Sequence, residues 1–159
     1  MSRTYKTDRL EQNDAVRVND ALTPPFHTKV AVVVRDDLPT WQRLNVTAFL
    51  SSGITAANPQ LVGQDYVDAD GQTYLPLLGI PVLVLEGDAE TLLAARERAL
   101  RRELPIAIYT ADMFRTGHDE ANRDVVRPVP GARLDLVGLA AHGPKNIVDK
   151  ILKGVRLHP

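Results

Sequence analysis

The 159-residue chain contains no cysteine. That excludes disulfides, thiolate nucleophiles, zinc–thiolate sites and iron–sulfur clusters, so any chemistry must come from oxygen and nitrogen groups. It also fits a reducing compartment, and the expectation is a cytoplasmic protein. Aromatic residues are scarce at 5%, with a single tryptophan, which argues against a base-stacking platform for single-stranded nucleic acid. No apolar run approaches the roughly 18 residues of a membrane span. The first twenty residues lack the apolar stretch of a signal peptide, so no membrane association is expected. Neither sign of charge dominates: 19 Lys and Arg face 20 Asp and Glu, for a net charge of -1. Such a chain has no strong global field for nucleic acid or anionic lipid. No internal repeat is evident. A 44% hydrophobic and 25% charged composition is ordinary for a globular fold, and the length suits one domain.

What is present divides into an arm and a domain. Residues 1–28 carry balanced charges, few apolar side chains and a closing Pro24-Pro25; they are expected to form an N-terminal arm with a short helix over about 10–18. Residues 29–159 are expected to form a single α/β domain. Val30 to Val34 is β-branched apart from Ala31, the pattern of a strand buried on both faces. Helix is predicted from Thr40 to Ser52, with Gly53 closing it; Trp41, Leu44 and Ala48 share one face and Val46, Phe49 and Leu50 add a second apolar patch, so the helix is expected to be largely buried. Asp70-Gly71 between two short apolar stretches predicts a hairpin over about 65–75. Further strands are expected at 82–85, 106–109 and 134–141. Helices are expected at 89–102, capped by Asp88 with a stripe of Leu92, Ala95, Ala99 and Leu100, at 119–124, and from Pro144 to Leu152. Residues 155–157 suit a terminal strand. Strands alternating with helices indicate three α/β/α layers around a mixed sheet of about four strands.

Candidate chemistry gathers after two strands. In open α/β sheets ligands bind beyond the carboxyl ends of strands. Arg35-Asp36-Asp37 follows the first strand, where it serves either as a polar site or as an ordinary turn. Asp112 to Asp119, reading DMFRTGHD, follows the third and is the densest polar cluster. There His118 beside Asp119 could act as an oriented general base, although neighbours in sequence rarely adopt that geometry. On the first helix, Arg43, Asn45 and Thr47 need polar partners, which a loop or a ligand can supply. Lys145, Lys150, Lys153 and Arg156 make the C-terminus locally basic; a solvated helix face explains this as simply as phosphate binding. The four histidines are scattered without paired spacing, so no metal and no cofactor is expected. No glycine-rich phosphate loop or nucleophile-elbow serine occurs.

The strings VVVRDDLPTWQRLNVTAFLSSGI, TGHDEAN and DLVGLAAHGPKNIVDKILKGVRLHP resemble the domain of unknown function 2000 family over about residues 29–159. That family resembles the type 2 peptidyl-tRNA hydrolases in fold. The resemblance implies a mixed-sheet α/β domain and a homodimer. It also implies a site: Asp37-Leu38 matches the Asp-Leu after those enzymes' first strand, Arg43 takes the place of their functional lysine, and Thr47 takes that of a glutamine. Asp112 aligns with their functional aspartate, and Arg115-Thr116 with the Arg-Thr of the same loop. Arginine keeps the charge but does not readily lose a proton, and fold kinship does not carry function. Whether the protein is an enzyme stays open. If it is, the expected class is a hydrolase of a small polar ester or amide. In that reading Asp112 or His118 handles water and Arg43 stabilises the oxyanion, with Asp36, Asp37, Asn45, Thr47, Arg115, Thr116 and Asp119 binding the ligand. Peptidyl-tRNA hydrolysis, with tRNA as a less favoured partner, and a non-catalytic dimeric interaction module are the alternatives.

Overall fold

The structure is a computed structural model that describes residues 25–159. The arm expected over 1–28, with its helix over 10–18, lies outside the described residues except for its last four. The chain runs β1 (Thr28–Arg35), α1 (Thr40–Ala57), β2 (Tyr66–Val67), β3 (Thr73–Tyr74), β4 (Val82–Gly87), α2 (Ala89–Arg101), β5 (Ile106–Thr110), α3 (Asp119–Val126), β6 (Leu136–Pro144), α4 (Lys145–Ile151) and β7 (Arg156–Leu157). Three 3-10 turns, at Pro59–Leu61, Ala111–Arg115 and Gly131–Arg133, bridge these elements. Among the described residues no helix is long and apolar enough to cross a membrane.

Five strands form one mixed sheet in the order β5-β6-β1-β4-β7. This is one more strand than expected, because Leu157 and Arg156 pair with Leu85 and Glu86 at the sheet edge. β1 lies parallel to β4 and antiparallel to β6. Val30 to Val34 are fully buried. Alternation then splits them: Val30, Val32 and Val34 join a cluster with Val46, Leu50 and Ile54 of α1. Ala31 and Val33 join Leu92, Ala95 and Ala99 of α2 and Val148 and Ile151 of α4. Helices therefore cover both faces of the central strand, as the unbroken apolar run requires.

Two expectations fail in α1. The helix continues four residues past Gly53 to Ala57, so this glycine does not end it; it lies against β5, where a Cβ would come 3.4 Å from that of Ala107. The helix is also buried on only one of its two apolar patches. Val46, Leu50 and Ile54 face the sheet, while Trp41, Leu44 and Ala48 are exposed. The helix is apolar nearly all round, so periodicity marks two stripes without choosing between them. In α2, Leu100 is 49% exposed; at 100° per residue it falls off the stripe of Leu92, Ala95 and Ala99. Asp88 caps this helix as expected, accepting from Thr91 N at 2.8 Å.

β6 carries a bulge at Val137, where Tyr109 pairs with Gly138 but Thr110 pairs with Leu136. Gly138 underlies α1. A Cβ there would meet Val46 Cγ1 at 2.4 Å and Leu50 Cδ1 at 2.8 Å, so only glycine lets the helix settle on the sheet. G138A should cost about 1–3 kcal/mol through overpacking. Urea unfolding would register this as a lowered midpoint, and an unchanged midpoint would refute the contact.

His142 on β6 is half-buried. Its Nδ1 lies 3.0 Å from Asn58 Oδ1, and Asn58 Nδ2 donates to Ile54 O at 2.9 Å. The amide is thereby oriented with its oxygen toward the ring, so Nδ1 donates and Nε2 carries a lone pair. Nε2 is buried without a partner among the described residues. Burial lowers the ring's pKa below 6.5. A depressed histidine pKa means the unfolded chain binds the proton more readily. The contribution to stability is therefore full above about pH 6.5 and is lost as pH falls toward the depressed value. Wild type should lose more stability than H142Q between neutral and mildly acidic pH, and parallel pH profiles of the two would count against this account.

Candidate functional site

β6 is antiparallel to both β1 and β5, so β1, β4 and β5 all end at one edge of the sheet. Two polar assemblies form there. The first centres on Glu86, the penultimate residue of β4, whose side chain is only 7% exposed. Arg43 reaches it from α1, Nη1 to Oε2 at 3.1 Å, and Arg156 reaches it from β7, Nε to Oε1 at 2.8 Å. Arg156 also holds Asp36 at 3.1 Å. Its guanidinium pKa is raised by the hydrogen bond to Asp36 and then by the charge of Glu86.

Arg43 makes four polar contacts with its five N–H donors. Besides Glu86 it donates to Leu38 O at 2.7 Å and to Asp36 O, and it lies 3.1 Å from His158 Nε2. Thr47 turns its hydroxyl back onto Arg43 O at 2.7 Å, one helical turn earlier. Asp37 pairs with Arg35 at 2.7 Å, and Arg35 also binds Asp135. These contacts clamp the strand-end turn and the C-terminal strand to the sheet.

The second assembly is a cleft of about 580 Å³ between α1, β5 and the segment after β5. Its apolar wall is aromatic. Trp41 meets Phe114 edge-on at 5.8 Å, Phe114 lies 5.2 Å from Tyr109, and Phe49 lies 5.8 Å from Tyr109. Burial raises the pKa of Tyr109 above 10.0, so this phenol stays neutral at physiological pH. Asn45, Thr116, His118, Asp119 and Asn122 supply the polar lining. His118 caps α3, its Nδ1 accepting from Ala121 N at 3.2 Å. Asp119 pairs with Arg123 one turn on, and the Thr116 hydroxyl is joined to Asn122.

The expected site residues thus divide. Asn45, Thr116, His118 and Asp119 converge on the cleft. Asp36 and Arg43 belong to the Glu86 cluster, whereas Asp37 and Thr47 make local contacts. Asp112 and Arg115 are exposed and do not line the cleft. Sequence reasoning passed over Glu86, though one carboxylate in the apolar stretch VLVLEG was a usable signal. It also passed over Phe49, Tyr109 and Phe114 as a wall, because they come from three separate segments. Among the described residues no group of three His, Asp or Glu side chains could hold a metal ion.

A family model described as "Protein of unknown function (DUF2000)" matches residues 28–159. The chain belongs to this family. Its DUF2000 fold is similar to the solved structure of a protein of unknown function from Agrobacterium tumefaciens strain C58. The two are 45% identical with a TM-score of 0.83, over 84% of this chain and 99% of that one. No curated protein matches the chain.

In this DUF2000 chain the Glu86 cluster has a testable energetic consequence. Removing one member of a buried ion pair leaves the other uncompensated. E86A should lower stability by about 3 kcal/mol, with R156A much milder because Arg156 is exposed. Chemical denaturation of both variants checks the order, and equal losses would contradict it.

Proposed function

We propose that this protein binds a small molecule combining a flat apolar part with a hydrogen-bond acceptor, such as a carbonyl or carboxylate oxygen, in the cleft between α1 and β5. The observation that carries this reading is the aromatic wall. Four of the chain's eight aromatic residues line one opening, and Trp41 and Phe49 are 61% and 54% exposed. An apolar wall with a few convergent polar groups is the usual make-up of a small-molecule site.

The polar end supports an acceptor-bearing ligand. His118 Nδ1 accepts from a backbone N–H, so the neutral ring carries its proton on Nε2. In that tautomer the ring donates to a ligand oxygen and is not poised to take a proton from water. Binding is accordingly favoured over ester or amide hydrolysis. Hydrolysis would need Asp112 and Arg43 at the ligand, and neither lines the cleft.

The proposal extends to a type 2 peptidyl-tRNA-hydrolase-like architecture. Asp37-Leu38 ahead of α1 and Asp112 just after β5 support it. Peptidyl-tRNA hydrolysis itself has less behind it, since the guanidinium at the lysine's place is bound to Glu86.

Trp41 is the only tryptophan, so its fluorescence reports on the cleft directly. Titration with aromatic carboxylates and carboxamides should shift or quench this emission. H118A should weaken the binding about five- to tenfold, the worth of one hydrogen bond. No response to any probe, or binding indifferent to H118A, would sink the proposal.

A further inference from the structure

Along the cleft, α1 presents Trp41, Asn45, Phe49 and Gly53, one residue per helical turn. Asn45 is the one polar side chain of this stripe. It sits a turn away from each of two aromatic rings that are more than half exposed. It is half-buried, and its amide makes no hydrogen bond among the described residues. The sequence asked for a partner here, a loop or a ligand, and no loop among the described residues supplies one. An amide drawn out of water without a partner is costly.

The facing strand holds a second unpartnered group. Tyr109 is only 5% exposed, wedged between Phe49 and Phe114. Its hydroxyl also lacks a partner among the described residues. Yet it is not sealed in: the unpartnered polar atoms that are closed off there are Thr28 Oγ1, Thr110 Oγ1 and His142 Nε2. The little surface that Tyr109 keeps therefore includes its oxygen, and Tyr109 lines the cleft. Both groups work in two directions. A neutral phenol donates and accepts, and an amide offers an N–H donor beside a C=O acceptor.

We propose that the ligand of the cleft is a neutral planar heterocycle with a lactam edge, an N–H next to a C=O as in a free pyrimidine or purine base, and that Asn45 and Tyr109 read that edge. This rests on the small-molecule reading of the cleft and narrows it. The side chain of asparagine meets a neighbouring donor and acceptor on a ring with two hydrogen bonds, as it does with a base edge. The aromatic wall takes the face of the ring, and the His118 Nε2–H is left for a carbonyl oxygen.

Charge narrows the ligand further. No Lys or Arg lines the cleft, and the one formal charge in its lining is Asp119, which is paired with Arg123. An anionic ligand would meet a carboxylate and no counter-charge of its own. The acceptor is accordingly a carbonyl and not a carboxylate. A phosphate group would likewise lack the cations that normally hold it, so a free base or nucleoside fits and a nucleotide gains nothing.

Calorimetric titration of the full chain with matched pairs tests this. Uracil and carbostyril carry the lactam N–H; N,N′-dimethyluracil and N-methylcarbostyril keep the ring and the carbonyls without it. The N–H forms should bind about tenfold tighter than their methylated partners, the cost of leaving polar groups unsatisfied. N45A should abolish that preference. Y109F, which keeps the ring packing, should weaken uracil about fivefold. Uridine monophosphate should bind no tighter than uridine. Methylated forms that bind as tightly as their partners overturn the proposal, as does a preference that survives both N45A and Y109F, or a nucleotide tenfold tighter than its nucleoside. Benzoate that shifts Trp41 emission while neither lactam binds also overturns it, but leaves the small-molecule reading standing. Silence of every probe, benzoate and benzamide included, sinks both.

Discussion

The fold depends on one strand that must be shielded from water on both sides. Val30 to Val34 have no accessible surface, and they are sandwiched between α1 on one face and α2 with α4 on the other. Burying a strand this way requires hydrogen-bonded neighbours on both edges. β6 and β4 supply them, one antiparallel and one parallel. That mixed arrangement sends the ends of β1, β4 and β5 to a common edge, and both assemblies of the candidate site are built there.

The two assemblies at that edge differ in physical character. Around Glu86 the charges are satisfied by one another: two guanidiniums hold one buried carboxylate, and the same arginines fasten the β1 turn and the terminal strand. Such a cluster closes structure and has little capacity left for a ligand. The aromatic cleft is the reverse. Its wall is apolar and partly open, and its polar groups sit at one end. An open apolar surface with oriented donors gains free energy by being filled, which is why the functional proposal rests there and not on the charges that first drew notice.

Much of the fold was legible because local rules and tertiary needs agreed. The valine run, the Asp88 cap and the Asp-Gly hairpin each have a short-range cause. The outward face of α1 was not legible. Trp41, Leu44 and Ala48 share a helical face as cleanly as Val46, Leu50 and Ile54 do, and periodicity fixes the spacing of a face but not its direction. Gly138 decided the matter by leaving room under Val46 and Leu50. The candidate site was legible in part for a similar reason. Thr116, His118 and Asp119 lie close in sequence, and Asn45 joins them, but Phe49, Tyr109 and Phe114 become one wall only when α1 is laid across β5.

By itself the sequence determined the alternation of strands and helices, the central valine strand and the polar segment after the third of the main strands, since each follows from side-chain periodicity and backbone preference within a few residues. The tertiary structure alone decided which polar residues meet. Arg43 and Glu86 are 43 positions apart, and Glu86 and Arg156 are 70 apart. Their pairing rests on strand order and helix orientation, which are set by burying the whole core at once. The same packing turned one apolar stripe of α1 inward and left the other facing solvent.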